Sequence, residues 1–141
     1  MRIAIAGYPR SGKTTLAQEM AEKDGVKVVR HTDDVMEMGW SESSEHASTW
    51  FDAEGPWIIE GVAVPRALRK WLARNPEGKP CEMVAFQRFA HEELTQGQKT
   101  MAKGCDTVFM GILEDLTRRG TVVVFNLRVI EVEKAPATEA P

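Results

Sequence analysis

An α/β fold built on a parallel sheet is what this chain of 141 residues predicts, and three observations predict it. Short runs rich in Val, Ile and Ala alternate with amphipathic segments along the chain. The runs are apolar at successive positions, as in strands buried on both faces. The first forty residues read strand, loop, helix, strand, a βαβ unit whose two strands must be parallel. A sheet of about five strands covered by helices on both faces follows. The length fits one domain of ordinary size, with no second domain.

The elements follow in order. "RIAIAG" (2–7) is a buried strand that stops at a glycine. "KTTLAQEMAEKDG" carries Leu16, Ala17, Met20 and Ala21 at one-face helical spacing and ends at Gly25, a C-cap position. "VKVVRH" (26–31) is a second strand. "DDVMEMGWSESSEHASTWFDAEG" has a helical pattern interrupted near Gly39, with Ser41 the expected N-cap of a second piece reaching Phe51; a flap is expected over about 34–55. "PWIIEG" (56–61) is a third strand, "PRALRKWLARNPEG" a third helix, and "CEMVAFQ" (81–87) a fourth strand. From His91 to Arg119 the pattern is helical, with breaks expected at Gly97 and Gly104, and forms an expected lid. "GTVVVFNL" (120–127) is a fifth strand, closing a domain of residues 1–130. Residues 131–141 have too little apolar content to pack and are expected to be disordered.

Composition excludes several classes. With 18 basic and 21 acidic residues the formal net charge is −3, without the basic excess of a protein that coats nucleic acid; a local basic channel stays open. The two cysteines, Cys81 and Cys105, form no C-x-x-C pair and no histidine stands at zinc-ligand spacing, so buried thiols are expected. The first apolar run is too short for a signal peptide, and no apolar stretch reaches 18 residues. A soluble, cytoplasmic chain with no membrane and no obligate protein partner is the expectation.

The chemistry concentrates at strand ends, where ligands of such sheets bind. "GYPRSGKTT" (7–15) has Gly7, Gly12, Lys13 and Thr14 at the spacing G-x-x-x-x-G-K-[ST]. Glycines let successive backbone N–H groups turn inward onto phosphate oxygens at the positive end of the next helix. Lys13 then reaches the β and γ phosphates, and the Thr14 hydroxyl ligates Mg²⁺. These four positions match by chance in roughly one chain in a few hundred, and the strand before and helix after are the context the mechanism needs. Gly7, Arg10, Ser11, Gly12, Lys13, Thr14 and Thr15 are thus expected to hold ATP.

Three uses of such a loop are open: GTP switch, ATP-hydrolysing machine and kinase. The N-K-x-D guanine reader is absent, and "DAEG" (52–55) precedes the third strand where a switch motif would follow it. A hydrolysing machine would want an acid pair ending a strand, and "WIIEGV" offers Glu60 alone. A kinase finds partners for more residues. Asp33, directly after the second strand, could accept the proton of an attacking hydroxyl, or simply cap the helix near Val35. Arg66 could clamp an acceptor's phosphate or carboxylate, or be a surface arginine. Glu60 could hold the water shell of Mg²⁺ or an acceptor group, or else pair with Arg66. Lys99 and Lys103 share a helix face, and with Arg118 and Arg119 they could bring positive charge onto the transferring group; a solvated helix is the plain alternative. A nucleotide-binding or hydrolysing regulatory module without an acceptor is the runner-up.

On these residues the chain resembles small P-loop kinases of the nucleotide kinase and polynucleotide kinase type. "GYPRSGKTT" is similar to their G-x-P-G-S-G-K-[ST]-T loop, with Arg10 standing where glycine is common. "TDD" resembles the acidic pair of phage polynucleotide kinases, which implies that Asp33 is the general base. "EGVAVPR" is similar to, though longer than, the D-G-F-P-R segment of nucleoside monophosphate kinases, which implies an acceptor-side role for Arg66. The resemblance spans about residues 1–127 and implies a three-layer P-loop NTPase fold with strand order 2-3-1-4-5, a helical lid, ATP and Mg²⁺ as cofactors, and a nucleoside, nucleotide or nucleic acid acceptor. The compact size and "GCDTVF" are similar to small phage-encoded kinases, including those acting on 5-hydroxymethyluracil in phage DNA, which would place the protein in host cytoplasm.

Overall fold

Parallel pairing runs through the whole sheet of the computed structural model, which describes residues 1–128. Its strands are β1 (Arg2–Gly7), β2 (Val29–His31), β3 (Trp57–Glu60), β4 (Met83–Gln87) and β5 (Val122–Phe125), and its helices α1 (Lys13–Asp24), α2 (Trp40–Ser48), α3 (Val64–Arg74) and α4 (Gln96–Arg118). All five strands are parallel in the order β2-β3-β1-β4-β5, as the resemblance implies. The expected tail at 131–141 and the last two residues of the expected domain lie outside the described residues.

The period of two along each strand sorts side chains onto two faces. Ile3, Ile5, Ile58 and Ala85 point one way and pack under Leu16, Ala17 and Met20 of α1. Ala4, Ala6, Ile59, Val84 and Phe86 point the other way, against Leu68 of α3 and Phe109, Ile112 and Leu116 of α4. Both faces are dry over the central strands β1, β3 and β4, which is why these read as unbroken apolar runs.

Three expectations change. β2 is three residues long rather than six, because among the described residues it pairs with β3 alone, a strand of four residues. Ser41 is not an N-cap: a 3-10 turn over Thr32–Met38 leads to Gly39 (φ 88°), which caps α2 without a side-chain bond. Nor does α4 break at Gly97 or Gly104. A capping box between Thr95 and Gln98 starts it, and the stripe Ala102, Cys105, Phe109, Ile112 and Leu116 is buried along it. That burial outweighs a propensity cost of about 1 kcal/mol per glycine. The expected flap and lid each lend one face to the core. Ala47, Trp50 and Phe51 of the former and Phe109 and Leu116 of the latter sit in one cluster, leaving residues 88–95 and the first turns of α4 beside the phosphate loop.

Candidate active site

The loop from β1 into α1 leaves the sheet at its carboxyl ends. Gly7 admits no side chain, since a Cβ there would lie 2.7 Å from the Gln87 carbonyl and 2.9 Å from Ser11 Oγ. Gly12, at φ 79°, opens α1 with no side-chain cap, so first-turn N–H groups are not claimed by a capping side chain and form an anion-binding helix end. Lys13 is only 8 % exposed. Its Nζ donates to the Tyr8 carbonyl at 2.7 Å and to Ser11 Oγ at 3.4 Å. Burial pulls its pKa below the ordinary lysine value, against the opposing pull of Glu60.

Arg10 acquires a role. It sits at φ 59°, the left-handed region that explains glycine at this position in similar loops. Its carbonyl accepts from the His91 backbone N–H at 2.8 Å, and its guanidinium pairs with Glu92 and donates to Gln98 Oε1 at 3.3 Å. The segment after β4 is thereby tied to the phosphate loop.

Lys13 lines a cleft of about 300 Å³ together with Thr14, Asp33 and Glu60. Glu60 ends β3 in the same facing parity as Ile58, toward α1. There its Oε2 accepts from Thr14 Oγ1 at 3.0 Å and pairs with His31 Nδ1 at 2.5 Å. Glu60 therefore pairs with Thr14 and His31 rather than with Arg66. Asp33 enters the cleft from the 3-10 turn that follows β2. Gly61, at φ 145°, carries the chain away from Glu60; a Cβ there would fall 1.7 Å from Thr32 Oγ1.

Val62 and Met101 also line the cleft. Nearby, Arg66 in the first turn of α3 lays its guanidinium 4.4 Å over the Trp40 ring. Gly104 gives it room, since a Cβ there would be 3.2 Å from its Nη2. No ion pair is formed by Arg66 among the described residues, so donors at its edge stay free.

The structure does not bring four expected cations to this cleft. β5 begins at the amino end of the sheet just after α4 ends, so Arg118 and Arg119 lie at the opposite end from the loop. There Arg119 bonds Asp115 and the carbonyls of Leu72, Asn75 and Gly78, tying α4 to the end of α3, while Arg118 pairs with Asp115 on its own helix; this placement is a correction to their catalytic assignment. Lys99 and Lys103 are exposed on α4 and do not line the cleft; Thr15 is exposed as well. Sequence reasoning missed His31 and Met101. Asp106 was also missed: it takes bonds from Tyr8 and Arg88 and so links α4, the loop and β4.

A glycine-cornered loop with a buried lysine, on a parallel sheet ordered 2-3-1-4-5, defines a P-loop nucleotide-binding protein. The chain belongs to the family described as AAA domain, which it matches over residues 3–135. No curated protein matches it. Among solved structures it is similar in fold to shikimate kinase from Aquifex aeolicus vf5, at 15% identity and a TM-score of 0.53, covering 98% of this chain and 95% of that one. Among the described residues no helix is long and apolar enough to cross a membrane.

Proposed function

We propose that the protein is an ATP-dependent kinase that moves the γ-phosphoryl group to a hydroxyl of a nucleoside, nucleotide or nucleic acid, in the cytoplasm. The observation that carries the reading is the meeting of Lys13 and Thr14 with two carboxylates, Asp33 and Glu60, in one cleft.

In this reading the loop N–H groups and Lys13 hold the β and γ phosphates. Asp33 accepts the acceptor's hydroxyl proton as its oxygen attacks phosphorus, the bond to the bridging oxygen breaks, and ADP departs. Arg66, stacked on Trp40, offers its free edge to an anionic group of the acceptor. Oxygen donors on Thr14 and Glu60 fit Mg²⁺, which keeps most of its waters and needs few protein ligands; when bound it neutralises charge on the phosphates.

The test is γ-labelled ATP incubated with nucleosides, nucleotides, DNA ends and DNA containing 5-hydroxymethyluracil. Label on one acceptor class supports the kinase and names the acceptor. Label released only as free phosphate with every acceptor overturns it in favour of a hydrolytic module.

A further inference from the structure

His31 has no part in the chemistry above, yet it makes one of the shortest polar contacts to a residue that lines the cleft, Glu60. We infer that His31 is a positioning residue: it fixes the Glu60 carboxylate against Thr14 and so sets the affinity of the site for a divalent cation. This rests on the kinase reading of the same cleft.

The placement follows from register. β2 and β3 are parallel with His31 opposite Glu60, and paired residues of parallel neighbours project to the same face. Val29 and Ile58, two residues earlier in each strand, pack on the α1 side. His31 and Glu60 therefore both face α1, where Thr14 stands in the first turn. One carboxylate oxygen, Oε2, receives both the imidazole Nδ1 and the Thr14 hydroxyl. The Glu60 side chain is 3% exposed and that of His31 27%, so water can reach the imidazole but hardly the carboxylate. Such a carboxylate needs fixed donors to remain an oriented acceptor. With its proton given to Glu60, the Thr14 hydroxyl turns its lone pairs outward. Partners that orient a ligating side chain typically change metal affinity by about 10–100-fold when removed.

The test uses manganese(II) with ADP, followed by electron paramagnetic resonance, on wild type, His31→Ala, His31→Phe and His31→Asn, with metal-free ADP affinity measured in parallel. Asn carries its amide nitrogen close to where Nδ1 stands, whereas Ala and Phe cannot donate. The expected result is manganese affinity reduced about tenfold in the Ala and Phe variants and retained in Asn, with metal-free ADP affinity unchanged throughout. Wild-type manganese affinity in both non-donating variants overturns the inference alone, as does an Asn variant as weak as Ala. A wild-type protein that binds no manganese with ADP overturns the kinase site and this inference with it.

Discussion

A methyl group on Gly61 would collide with Thr32 Oγ1 in a backbone region that side chains avoid, so single atoms decide where Glu60 stops. Gly61→Ala is expected to cost about 3 kcal/mol or more, seen as a lowered midpoint in chemical denaturation. Thr32 Oγ1 is itself buried with no hydrogen-bond partner. Thr32→Val, which exchanges that orphaned hydroxyl for an apolar methyl group, is expected to stabilise by about 1 kcal/mol in the same assay. Lys13 gives the pH dependence. An anionic phosphate prefers the ammonium form, and burial holds that form's pKa below the ordinary 10.5. Affinity for ADP should therefore fall with rising pH beginning below 10.5, and Lys13→Met should bind weakly with no such fall; calorimetric titration across alkaline pH distinguishes the two.

Elements were legible where burial is two-sided and local. β1, β3 and β4 are short runs bounded by glycine, proline or charge, and α1 declares itself through Leu16, Ala17, Met20 and its Gly25 cap (φ 67°). The length of β2 was not legible, because a partner strand fixes it. Nor was the continuity of α4, because five buried side chains outweigh its three glycines. A methyl group added to Gly111 in that helix would meet nothing within 4 Å. Gly111→Ala should therefore raise stability by about 0.5–1 kcal/mol and leave nucleotide affinity unchanged, as paired melting and binding experiments will show. By contrast, Gly104 is a notch for Arg66, so the same change there is expected to weaken acceptor binding.

At the scale of the whole molecule, both faces of the sheet are sealed over the central strands β1, β3 and β4, and the ligand cleft opens at the strands' carboxyl ends. The thiols obey the first fact. Burial pushes the Cys81 thiol up to about 12 and raises Cys105 also, so neither should react with a disulfide reagent near about pH 8 until denaturant is added, when both should. The second fact separates what the sequence could tell of the site from what it could not. The loop, Asp33 and Glu60 are legible because each stands at a strand end by local spacing. The pairing of His31 with Glu60 depends on register between strands far apart in sequence. Arg118 and Arg119 misled because a helix of 23 residues is about 34 Å long and carries its last turn to the wrong end of the sheet.

The central claim is that the cleft between Lys13 and Asp33 transfers a phosphoryl group. Its most direct measurement is label transfer from γ-labelled ATP to the responsive acceptor by wild type and Asp33→Asn, with ATP affinity determined for both. Loss of transfer by at least about a hundredfold with ATP affinity preserved is the predicted result. Undiminished transfer by Asp33→Asn, or loss of ATP binding in its place, would contradict the account.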